Sequence, residues 1–164
     1  MSISDCVDDS NPIDITEHIA EHNAWEFDRL TDDQIAMAIE GQWRTYSVTV
    51  AWSGHDETLR MVCTYDVDPP EQKLPQLYHM LNVVNDQCWT GSYNYWLEQK
   101  LMVYRYSLLL TGTDGASPEQ VDVMIQAAVA TAERYFPAFQ LVIWGDSTPQ
   151  DAIQVALAEA YGRA

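Results

Sequence analysis

Between residues 45 and 65 the hydrophobic period is two. Tyr46, Val48, Val50 and Trp52 alternate with Thr45, Ser47, Thr49 and Ala51, and Leu59, Met61, Cys63 and Tyr65 alternate with Arg60, Val62 and Thr64. Successive strand side chains point to opposite faces, so this pattern buries one face of a sheet and leaves the other wet. The two runs meet near Ser53-Gly54-His55, and a connection that short makes them antiparallel neighbours. Weaker strands are expected at Trp25 to Leu30 and Gln34 to Glu40, with turns at Thr31-Asp32-Asp33 and at Gly41. A later pair, Ser92 to Leu97 and Leu101 to Thr111, is linked through Glu98-Gln99-Lys100.

Around these strands the period becomes helical. Asn11-Pro12, Ser117-Pro118 and Thr148-Pro149 each place a capping side chain before a proline at the first helical position, where its missing N–H costs nothing. Gln120 stands three residues after Ser117, the spacing of a capping box. Asp14 and Asp151 hold the matching position in the other two, where negative charge suits the helix dipole. Val121, Ile125, Ala128, Ala132 and Tyr135 form one stripe of the middle helix. A further helix is expected from about Gln72 to Cys88, with Pro75 in its first turn. Phe136 to Trp144 reads as a helix continued past Pro137 or as a buried strand, and helix is the preferred reading.

The order is therefore α-β-β-β-β-α-β-β-α-α, an α+β fold with helices packed on one antiparallel sheet. At 164 residues the chain has the length of one domain, expected over residues 11–164, with a disordered acidic tail over residues 1–10. Acids outnumber bases by 25 to 8, for a net charge of −17. That sign repels phosphate backbones and anionic lipid, so neither nucleic acid nor a membrane surface is expected as a partner. Residues 1–40 hold 11 acids and one base, Arg29, which concentrates the charge in the N-terminal part. Cys6, Cys63 and Cys88 are an odd set without C-x-x-C spacing, so disulfides are not expected. The first nine residues lack the apolar core of a signal peptide, and the longest uncharged stretch, Leu74 to Asn85, is too short to span a bilayer. A cytoplasmic protein is expected.

Candidate chemistry is sparse. His18-Ile-Ala-Glu21-His22 fits H-x-x-E-H, in which two imidazoles one helical turn apart grip zinc while the glutamate activates water. The competing reading is a solvated acidic helix face, because no third ligand is apparent and Asn23 follows where the helix should end. Asp66, Asp68 and Glu71 lack the glycine and spacing of a calcium loop. Cys63 and Cys88 fall in apolar stripes and read as small hydrophobes. No nucleophile elbow, phosphate loop or dinucleotide fingerprint is present. Trp89, Tyr93, Tyr95, Trp96, Tyr104 and Tyr106 gather at one helix end and one hairpin. The tyrosines are read as facing the core and Trp96 as facing outward, and protein contact is the best functional reading of that hairpin.

Several stretches resemble the YbjN family, bacterial proteins described as sensory transduction regulators with a fold like the type III secretion chaperones. They are Trp25-Glu-Phe-Asp-Arg29, Trp43-Arg-Thr-Tyr46, Cys63-Thr-Tyr-Asp66, Leu81-Asn-Val-Val-Asn85 leading into Trp89-Thr-Gly91-Ser-Tyr93, and Val103-Tyr-Arg105-Tyr106. The tail Arg134-Tyr-Phe-Pro137-Ala-Phe-Gln-Leu-Val-Ile-Trp-Gly145 and Ser147-Thr-Pro149-Gln-Asp-Ala152 adds to it. The resemblance implies no catalytic residue and no cofactor. It implies a homodimer that holds a partner polypeptide.

The expectation is thus a non-enzymatic, protein-binding regulator or chaperone-like adaptor, a homodimer with an unidentified protein partner. The alternative is a small metal-binding protein or zinc hydrolase using His18, Glu21 and His22. Interface candidates are Leu77, Met80, Val83, Val84, Trp96, Tyr104 and Tyr106, because Met80 and Val83 widen the helical stripe beyond what one sheet needs.

Overall fold

Each proline-marked helix start is capped as its sequence demands in the computed structural model, which describes residues 11–162. Helix α1 (Pro12–His22) begins with Asn11 Oδ1 accepting from the Ile13 N–H at 2.9 Å. The N–H of Gln120 donates to Ser117 Oγ and the Ser117 N–H to Gln120 Oε1, a reciprocal box opening α3 (Pro118–Trp144). Thr148 Oγ1 accepts from the Asp151 N–H at the start of α4 (Pro149–Gly162). The fourth helix, α2 (Leu74–Asn85), is shorter than the Gln72 to Cys88 expected. A 3-10 turn at Glu71–Lys73 precedes it, so Pro75 lies in the first α turn. Phe136 to Trp144 completes α3, and Pro137 there leaves the Glu133 carbonyl without its usual donor. The tail expected over residues 1–10, with Cys6, lies outside the described residues.

The strands are β1 (Glu26–Thr31), β2 (Gln34–Glu40), β3 (Thr45–Ser53), β4 (Thr58–Asp66), β5 (Ser92–Trp96) and β6 (Leu101–Leu109). They form one sheet in the order β1-β2-β3-β4-β6-β5, every neighbouring pair antiparallel. This is the expected α+β class and element order. Strand β6 enters between β4 and β5, so those two run in the same direction and β4-α2-β5 is a βαβ unit split by β6.

Register aligns the alternating residues into rows. Met37, Val48, Cys63, Tyr104 and Tyr93 lie opposite one another across five strands, as do Ile39, Tyr46, Tyr65, Met102 and Tyr95. These rows share one core with Val121, Ile125, Ala128, Ala132 and Tyr135 of α3. Helix α1 packs over β1 to β3, α3 over β4 and β6, and α2 against β5; α4 rests on α2 and α3. The opposite sheet face carries small and polar side chains, among them Ala36, Ala38, Ser47, Thr49, Ala51 and Thr64.

Two ties hold the helix layer in place. Glu133 of α3 accepts from the Gln42 N–H (2.9 Å), the Trp43 N–H (3.3 Å) and the Tyr46 hydroxyl (2.7 Å). The turn can approach that carboxylate only through Gly41, where a Cβ would collide with Glu133 Oε1 and the Tyr46 ring. Burial, and then the Glu133 hydrogen bond and charge, push the Tyr46 hydroxyl far above its ordinary pKa, so it stays a donor. Arg29, the single base of the first 40 residues, reaches Asp14 at 2.9 Å and Glu17 at 3.3 Å on α1 and donates to the Thr31 and Asp32 carbonyls.

This packing corrects the interface candidates. Leu77, Met80 and Val84 are fully buried and Tyr104 is 3% exposed, so they already belong to the chain's own core. The wide stripe of α2 has an internal cause: it packs against β5, α3 and α4 at once. Exposing one such side chain to make an interface costs about 1.5–3 kcal/mol. Val83, Trp96 and Tyr106 are half-buried and keep surface to offer.

Candidate functional site

Strand β6 is longer than the strand that flanks it. It pairs with β4 from Leu101 to Leu109, whereas pairing with β5 ends at Ser92 opposite Arg105. The Leu110 N–H donates to the Glu57 carbonyl at 2.8 Å, and the Val67 N–H to the Lys100 carbonyl at 3.0 Å. These bonds fix the parity of β6: even-numbered residues bond toward β4 and odd-numbered ones toward the other side. Leu101, Val103 and Arg105 thus meet β5, while Ser107 and Leu109 turn their N–H and C=O groups to an edge that no described residue pairs.

The chain leaves that edge open because of how it enters β5. At Gly91 a Cβ would lie 2.5 Å from the Tyr104 ring and 2.6 Å from the Arg105 carbonyl, so only glycine lets the backbone cross so close to β6. Immediately before it, Thr90 Oγ1 meets the Tyr104 hydroxyl at 3.5 Å and Trp89 projects into solvent, 95% exposed.

Beside the open edge lies a groove of about 370 Å³ between β6 and the first turns of α3. Its floor is Tyr104, Tyr106 and Leu108; its wall is Gln120, Val123, Met124 and Ala127; Thr90 and Glu119 stand at the margin. Val123 is 64% exposed and Leu109, at the end of the edge, 70%. Glu119 is the charged residue of the lining, so the groove is apolar inside with a carboxylate at its margin. The site offers no activated nucleophile: Cys63, in the core row behind it, is pushed up to about 12 by burial, and burial also raises Cys88.

Placement of the other candidates follows the blander readings. His18 and His22 line a second groove, between α1 and α3, across from Glu119 and Asp122. His18 Nδ1 lies 3.9 Å from Glu21 Oε2, both side chains well exposed, and no group of three His, Cys, Asp or Glu able to hold a metal occurs among the described residues. Asp68 pairs with Lys100 instead, at 3.3 Å. His55 is exposed and His79 meets Gln150 of α4. Asn85 directs its amide to the following strand, accepting from the Tyr93 N–H at 2.7 Å and donating to the Tyr93 carbonyl at 3.0 Å; Asn82 stays exposed. Trp96 pairs with Leu101 on the helix-free face.

Trp89 and Tyr106 belonged to the aromatic cluster legible in the sequence, but Val123, Ser107 and Leu109 did not. Two signals marked them: Val123 is an apolar residue off the Val121–Ile125 stripe, and Leu109 breaks alternation within Leu108-Leu109-Leu110.

A family model named YbjN, described as "Putative bacterial sensory transduction regulator", matches residues 12–141. No curated protein sequence matches this one. Among solved structures, the fold is similar to the crystal structure of YbjN from E. coli, described as "a putative transcription regulator", with a TM-score of 0.54 and 14% sequence identity over 82% of this chain and 90% of that one. Similarity at that identity concerns the fold.

Proposed function

Given that the chain belongs to the YbjN family, we propose that it is a non-enzymatic cytoplasmic regulator that works by holding another protein in the groove between β6 and α3. The observation that carries this reading is the coincidence, at one place, of an apolar groove, an unpaired strand edge and the exposed side chain of Val123 in the groove's lining. Exposed apolar side chains gathered around a concave surface mark interaction sites more often than chance exposure does. A net charge of −17 disfavours direct contact with nucleic acid, so a regulator of this composition acts through protein. The family is described as a regulator.

Self-association is a separate element of the proposal. The helix-free sheet face, with half-buried Trp96 and Leu101 beside small side chains, is the surface it assigns to a homodimer. Sedimentation equilibrium at micromolar concentration is expected to give a dimer; a monomer removes that element and leaves the groove reading intact. The groove is tested by parallel affinity capture with the wild-type chain and Val123→Lys. A protein retained by the first and lost by the second is expected, and identical captured sets would sink the proposal.

A further inference from the structure

Resting on that reading, we infer that the partner enters as an extended segment that adds a strand to the sheet beside Tyr106–Leu109, with apolar residues at alternate positions and Lys or Arg between them. The backbone supplies the first argument. Ser107 and Leu109 each present an N–H and a C=O to solvent in strand geometry, and an incoming strand is the occupant that satisfies all four at once. Alternation supplies the second: a strand in this place directs every other side chain toward the helix layer, where Tyr106, Leu108 and Met124 form an apolar seat. A helical ligand would fill the groove but leave the edge groups unpaired.

Charge supplies the third argument and decides between occupants. Glu119 stands in the lining of the groove with Asp122 three residues further along α3, and the chain as a whole carries −17, so Lys or Arg in the ligand is attracted there. A second copy of this chain would bring the same acids against themselves on an edge only four residues long. On β5, one of the sheet's two outer strands, the outer groups of Tyr93 are taken by the Asn85 amide, and nothing comparable covers Ser107 or Leu109 among the described residues.

Selection of a phage-displayed library of random dodecapeptides on the full chain tests the inference, followed by amide hydrogen exchange with the enriched peptide. The expected consensus alternates apolar residues with Lys or Arg, its binding protects the Ser107 and Leu109 amides at least tenfold, and Ser107→Pro weakens it at least tenfold. That variant removes an N–H that points to solvent but also restricts the backbone at Tyr106 and Ser107; Val123→Lys, on an exposed helix position, gives the same loss by a route that leaves the strand untouched. Helically spaced or acidic consensus peptides, or amides left unprotected, would overturn strand addition while the parallel capture experiment still upholds protein binding in the groove. No enrichment at all would overturn the inference itself, whatever that capture shows.

Discussion

The two halves of β6 share a partner and differ in everything else. From Leu101 to Arg105 the strand is enclosed, with β4 on one side and β5 on the other, and β5 in turn is closed by the two-point contact of Asn85 with Tyr93. From Tyr106 to Leu109 it keeps β4 and loses the second neighbour. Above the enclosed half, Tyr93 packs against Tyr104, Tyr135 and Phe139 at centroid distances of 5.3, 6.2 and 5.3 Å. Above the open half the helix layer draws back and leaves the groove. A sheet edge is an invitation to pair; on β5 an amide takes the outer groups of Tyr93, whereas the β6 edge lies open beside an apolar groove.

The enclosed half should respond most strongly to perturbation, and alkaline pH is the largest lever. Cys63 lies opposite Tyr104 in the enclosed rows, and burial raises its thiol from 9.0 to about 12. Below pH 9 the thiol is protonated in both states and its contribution is complete. As pH rises toward 12 the unfolded chain ionises first, so stability falls, by about 1.4 kcal/mol per pH unit and about 4 kcal/mol in all. Urea unfolding across pH 8 to 10, before the buried tyrosines add their own slopes, should show the decline in the wild type and a shallower one in Cys63→Ala, the remainder coming from Cys88, which burial also raises.

Next in size is Met102→Ala, which empties a fully buried position under the enclosed half and should cost about 3 kcal/mol in urea unfolding. Asn85→Ala follows at about 2 kcal/mol, because it leaves the Tyr93 N–H and carbonyl without partners; exchange of the Tyr93 amide should accelerate in the same variant. Leu109→Ala, on the open half and 70% exposed, should change stability by less than about 0.5 kcal/mol. An equal cost for Met102→Ala and Leu109→Ala would erase the distinction between the halves. A destabilising Leu109→Ala alone would mean that the open edge contributes to folding and is not held in reserve.

Much of this molecule was legible locally. The alternation of Tyr46, Val48 and Val50, the capping box of Ser117 and Gln120, and the late entry of Pro75 each depend on neighbours within about one turn or one strand pair, and the structure matches them closely. The aromatic hairpin was legible as a place of interest, but its division into core and surface was not. Tyr104 and Tyr106 obey the same alternation and face the same way; one is buried and the other half-exposed because β5 and Gly91 stop beside the first. The interface assigned to Leu77, Met80 and Val84 failed for a related reason. An amphipathic stripe shows that a helix buries a face, but its width does not say whether the covering surface is another protein or α3 and α4 of the same chain.

The sequence alone determined the order of helices and strands apart from Phe136 to Trp144, where the three proline-marked helices begin, that the sheet is antiparallel with one wet face, and that the charge repels polyanions, since these follow from periodicity, capping and composition. Only the tertiary structure decided that β6 lies between β4 and β5, that Glu133 clamps a turn some ninety residues away, and that Ser107 and Leu109 face an open edge. Those outcomes depend on which distant surfaces close the core together, and the free energy that selects among them is shared over the whole packed layer, where no local pattern records it.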